Sequence, residues 1–158
     1  PDLSIPRTMW TAANAMHGAI NDASCVAATK DPNAMPNGDP LCGKSYVLAP
    51  YLETPYFAYS DQLDSFILKG WGVTDVWGDL SDTEQTLLSA HAASVRAEFA
   101  KQPHGFSPHE NWHCAVRADP RFFCTKIGGT TYAQTFINWY FGLDGPVLMI
   151  DDSPLPWE

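Results

Sequence analysis

Apolar residues recur at helical spacing in several parts of this chain and run together in others, and the two patterns separate helices from strands. Met9, Ala13, Met16 and Ile20 mark a helix over residues 5–20, with Pro6 in its first turn. Ser81 to Glu84 reads as a capping box, and Leu88, Ala92, Val95 and Phe99 follow on one face up to Lys101. Thr131 to Gln134 is a second box, opening a helix through Phe136 and Tyr140 that Gly142 stops. Tyr46 to Leu48, Thr54 to Tyr59 and Pro146 to Ile150 read as extended. The second of these is bulky on both faces, as in a strand buried on both sides of a parallel sheet. Residues 29–43, Gly70 to Gly78 and the closing DDSPLPWE are turn-rich and read as loops. Helix, strand, helix, helix, strand is an α/β order.

Composition narrows the function classes. The chain has 158 residues, one domain's worth, with 45% hydrophobic and 13% aromatic residues, so it can bury a core. A formal charge of −9 with scattered Lys and Arg argues against nucleic acid or an anionic membrane surface as partner. No apolar run approaches the roughly 20 residues of a membrane span. Cys25, Cys42, Cys114 and Cys124 allow three pairings. The local ones, Cys25–Cys42 and Cys114–Cys124, close short loops and point to an oxidising compartment, hence to a secreted protein or one in the secretory lumen. The opening PDLSIPRTMW, without Met or a leader pattern, is expected of a piece of a longer polypeptide.

Candidate chemistry converges on Gly105 to Cys114, GFSPHENWHC, which fits two templates. In one, His109-Glu110-x-x-His113 is a zinc-peptidase spacing. Ser107 would be an N-cap, Pro108 the first helical residue, and His109 and His113 would face one way on the helix with Glu110 as general base. That site lacks a third ligand in any motif; only Asp119, Asp144, Asp151 and Asp152 follow as candidates. In the other, His113 is the histidine of a serine-hydrolase triad. Its acid, Asp61 or Asp64, would stand just beyond the aromatic strand, in the chain order of α/β hydrolases.

Several features in order carry a resemblance: Cys25 and Cys42, then TPYFAYSDQLDSF, a long amphipathic helix, FSPHENWHC, TTYAQTFINWYFG and PVLMIDDSPLPW. From about Cys25 onward the chain resembles the last part of the pectin acetylesterase and Notum family of carboxylesterases. The resemblance implies the C-terminal part of an α/β-hydrolase fold, a mostly parallel sheet flanked by helices, spanning residues 1–158. It implies His113 as triad histidine, Asp64 as triad acid with Asp61 second, an acylated polysaccharide as substrate, and no cofactor or metal. Two departures stand out. Glu110 occupies a position that is cysteine in plant relatives, and no Gly-x-Ser-x-Gly elbow is present, Gly43-Lys-Ser45-Tyr lacking the second glycine. Acyl transfer needs an attacking group. The serine is therefore expected from a preceding segment or companion chain. The rival expectations are a non-catalytic binding or assembly subunit that kept the fold, and the zinc peptidase.

Overall fold

The structure is a computed structural model that describes residues 22–29, 42, 48–113 and 120–158. The helix expected over 5–20 and most of the loop expected over 29–43 lie outside the described residues. The chain divides into two compact units, residues 1–55 and 56–158.

In the first unit, α1 (Ala23–Thr29) begins behind Asp22, whose carboxylate accepts the backbone N–H groups of Ser24 and Cys25 at 3.0 Å each. Cys25 is disulfide-bonded to Cys42, one of the expected pairings, and both are buried. Ala49–Tyr51 forms a short 3-10 turn. Leu48 was expected to be extended but is helical, because it opens that turn, with Pro50 fixing the next bend.

The second unit holds a parallel three-stranded sheet and helices, a mixed α/β arrangement. Its strands are β1 (Ala58–Tyr59), β2 (Gly105–Ser107) and, after a hairpin, β5 (Leu148–Ile150), ordered β1-β2-β5. Between β1 and β2 lie α2 (Ser65–Gly70) and α3 (Asp82–Phe99). Between β2 and β5 lie α4 (Arg121–Cys124), the hairpin of β3 (Lys126–Ile127) and β4 (Thr130–Thr131), and α5 (Tyr132–Phe141). Gly128 and Gly129 both have positive φ (55° and 87°), which a two-residue hairpin turn of this hand requires.

Both capping boxes form as expected: Ser81 with Glu84 opens α3, and Thr131 with Gln134 opens α5. Gly142 ends α5 in the left-handed conformation. Neighbouring strand residues point to opposite faces, so β2 assigns each helix its side. A Cβ at Gly105 would meet the ring of Phe99 on α3, whereas Phe106 stacks on Tyr132 of α5 at 5.3 Å. One face therefore carries an aromatic cluster of Phe106, Tyr132, Phe57, Tyr59, Phe122 and Phe136. A separate aliphatic core joins Leu63, Leu68, Val73, Val76, Leu88, Ala92 and Leu155.

The strand expected over Thr54 to Tyr59 is shorter than its hydrophobic run and is not buried on both sides. Pairing begins only at Ala58, after Pro55, and β1 is half-buried at the edge of the described sheet. A larger difference concerns Ser107, expected as a helix N-cap. It is the last residue of β2, and residues 108–113 are not helical. The Ser107 carbonyl accepts Asp151 N–H at 2.9 Å and the Gln62 amide at 3.0 Å, so sheet pairing overrides the local capping pattern.

Candidate active site

Two segments leave the sheet side by side and bring the site together. Pairing of β1 with β2 continues beyond both strands. Ser60 N–H donates to Phe106 O (3.4 Å), Gln62 to Pro108 O (3.0 Å), Leu63 to Glu110 O (3.2 Å) and Ser65 to Asn111 O (3.1 Å). Gln62 is fully buried, and its amide nitrogen donates to Ser107 O and, at 2.8 Å, to Asp151 O. One side chain thereby ties the ends of all three strands.

Asp64 closes the first segment as the N-cap of α2: its Oδ1 accepts the N–H groups of Phe66 (2.8 Å) and Ile67 (3.4 Å). Its other oxygen, Oδ2, lies 2.8 Å from His113 Nδ1, across 49 residues of sequence. A carboxylate is the acceptor in this pair, so Nδ1 carries the proton and Nε2 is left with a lone pair. The imidazole also stacks on Phe66, with centroids 4.7 Å apart and planes at 26°. The Asp64 side chain is 12% exposed and that of His113 50% exposed, so the acid is shielded while the imidazole reaches the surface. Such an imidazole can take a proton at Nε2 while the carboxylate stabilises the resulting cation. Among the described residues, no hydroxyl or thiol is hydrogen-bonded to His113.

Asp61, the second choice for the acid, faces elsewhere. Its Oδ1 accepts the Tyr59 hydroxyl at 2.7 Å, and its Oδ2 is buried without a partner. Burial pushes the carboxyl up to about 7; the Tyr59 hydrogen bond opposes this, and the charges of Glu110 and Asp64 reinforce it. The same environment raises the Tyr59 hydroxyl, through burial first and then Asp61.

The zinc-ligand spacing is not expressed as a shared face. Without a helix over 109–113, the two imidazoles serve different carboxylates. His109 Nδ1 stands 3.2 Å from Ser153 Oγ and 3.9 Å from Asp151 Oδ1. Burial lowers the His109 pKa, with Asp151 partly offsetting it. Burial raises the pKa of Glu110. Among the described residues, no group of three or more His, Cys, Asp or Glu side chains is arranged to hold a metal ion.

The sequence gave no reason to single out His109, Ser153 and Asp151 as a cluster. They carry the three side-chain types of a hydrolase triad, but not its connectivity. Ser153 Oγ donates to Asp151 Oδ1 at 2.5 Å and faces the same His109 nitrogen that Asp151 approaches. A relay needs acid and hydroxyl on opposite nitrogens of the ring. This cluster therefore fastens the tail after β5 to the segment after β2.

Of the other cysteines, Cys124 carries a free, exposed thiol, which corrects the expected Cys114–Cys124 bridge; Cys114 lies outside the described residues. No helix among the described residues is long and apolar enough to cross a membrane. Compared with known proteins, the sequence matches no family model and no curated protein.

Proposed function

We propose that this chain supplies the acid and base of a serine carboxylesterase of the pectin acetylesterase type, in the C-terminal part of an α/β-hydrolase fold. The observation that carries the reading is the 2.8 Å contact between Asp64 Oδ2 and His113 Nδ1, at the ends of adjacent parallel segments. Carboxylates and imidazoles at the carboxyl ends of parallel strands stand where open α/β sheets carry their chemistry.

In this reading a serine from a preceding segment or companion chain lies against Nε2 of His113. The imidazole takes the hydroxyl proton as the oxygen attacks the ester carbonyl, then returns that proton to the leaving alcohol as the ester C–O bond breaks. Water repeats the sequence on the acyl-enzyme, releasing the carboxylic acid and restoring the serine. Asp64 holds the ring in the required tautomer and balances its transient charge. The substrate is an acylated polysaccharide, met outside the cell or in the secretory lumen, a setting with which the Cys25–Cys42 bridge agrees.

The test uses the complete polypeptide or complex in which the chain occurs. A fluorophosphonate probe is expected to label one serine, with fluoride leaving, and His113→Ala is expected to abolish both labelling and p-nitrophenyl acetate hydrolysis. Absence of any labelled serine would instead favour the non-catalytic subunit. Hydrolysis that a chelator removes, with no labelled serine, would favour the metal reading.

A further inference from the structure

Beside the Asp64–His113 pair lies an open cleft of about 460 Å³, within the range of roughly 300–1,000 Å³ usual for small-ligand sites. Its walls include Trp77, Trp112, Ser65, Lys69, Glu110 and Asn111. Ser65 directly follows Asp64 and Trp112 directly precedes His113, so the cleft opens next to the imidazole. We propose that this cleft is a binding subsite for a pyranose ring, with the indole of Trp77 as its stacking plane.

Trp77 is a large apolar side chain left 51% exposed. It sits on a loop held by its own backbone N–H, which donates to Asp75 at 2.9 Å. Trp112 is 42% exposed, and the Arg121 guanidinium lies over its ring, 3.1 Å from the centroid. That cation covers one indole face and fixes the wall, leaving Trp77 as the open aromatic plane. Around these rings stand a hydroxyl (Ser65), an ammonium (Lys69), a carboxylate (Glu110) and an amide (Asn111).

A pyranose has the matching surface: a flat C–H face for the indole and a rim of hydroxyls for donors and acceptors. An acyl chain would cover Lys69, Glu110 and Asn111 without satisfying them, at a desolvation cost. A polyanionic strand would meet Glu110 and a chain of net charge −9.

The subsite rests on the esterase reading only for its orientation toward His113; sugar binding itself requires no serine. Calorimetric titration of the complete protein with maltohexaose, cellohexaose and xylohexaose separates the two. At least one of these is expected to bind saturably. Trp77→Ala should weaken that binding by roughly tenfold or more, while Trp77→Phe, which keeps an aromatic plane, stays within about threefold. Three outcomes overturn the proposal: no oligosaccharide binding, binding indifferent to Trp77→Ala, or saturation by decanoate but by none of the sugars. Oligosaccharide binding in a protein with no reactive serine would uphold the subsite while removing the esterase; labelling without sugar binding would do the reverse.

Discussion

Asp64 and His113 are joined through a carboxylate that divides its two oxygens between different tasks. Oδ2 holds the imidazole Nδ1 at 2.8 Å, and Oδ1 caps α2 through Phe66 N–H at 2.8 Å. The same α2 carries Phe66 against the imidazole ring. The acid is thus aimed by the helix it starts, and the ring is held from its edge and its face.

This division separates two substitutions. Asn caps helices about as well as Asp, so Asp64→Asn should leave the urea midpoint nearly unchanged. Asp64→Ala should cost about 1 kcal/mol. In Asp64→Asn the acceptor facing Nδ1 is no longer a carboxylate, and esterase turnover of the complete protein should fall by roughly 10³- to 10⁴-fold. Nitrogen chemical shifts of His113 report the tautomer independently of turnover. Unchanged shifts in Asp64→Asn would rule out an orienting role for the carboxylate.

Asp61 makes stability depend on pH in the direction opposite to that of an ion-paired carboxylate. Its folded pKa is raised to about 7 from an ordinary value of 3.8, so the native state holds this proton more tightly than the unfolded chain. The contribution is fully present below about pH 4 and is lost as pH rises through about 7. Wild type should therefore lose stability relative to Asp61→Asn across that window, by an amount on the order of 2 kcal/mol. Urea unfolding of both proteins at pH 4, 5.5 and 7.5 measures it. A constant difference would mean that Asp61 titrates normally.

Gly105 is needed for closeness and not for backbone freedom. A Cβ there would stand 2.6 Å from the Phe99 ring and 2.7 Å from the Ala58 carbonyl oxygen. The ring can shift, but the carbonyl belongs to the neighbouring strand and moves only with the pairing. Gly105→Ala should destabilise the protein by about 1–3 kcal/mol, seen as a lower urea midpoint. If it does not, the contact of α3 with the sheet is looser than these distances require.

The parts legible in the sequence were those written in local chemistry. Ser81 with Glu84 and Thr131 with Gln134 specify their helix starts within four residues, and Gly142 specifies a stop. The central strand was missed because Gly105, Phe106 and Ser107 have no period to detect; partners from both sides make them a strand. Ser107, Pro108 and Glu110 also imitate a helix start, and only the claim of Asp151 and Gln62 on the Ser107 carbonyl defeats that imitation. For the pair itself, position suggested Asp61 and Asp64 equally, and the resemblance favoured Asp64. What distinguishes them spatially is the three-residue offset: Asp61 turns to Tyr59 on the aromatic face, while Asp64 reaches the helix start beside His113.

Strands of two and three residues would ordinarily fray, and a sheet this small frays from its ends. The buried amide of Gln62 pins the very end from which the segments toward Asp64, His113 and Asp151 depart. The weakest boundary of the sheet is thereby made its fixed point. Amide protons there should exchange with solvent as slowly as those of the helix cores, and the segments leaving the sheet share one mechanical origin.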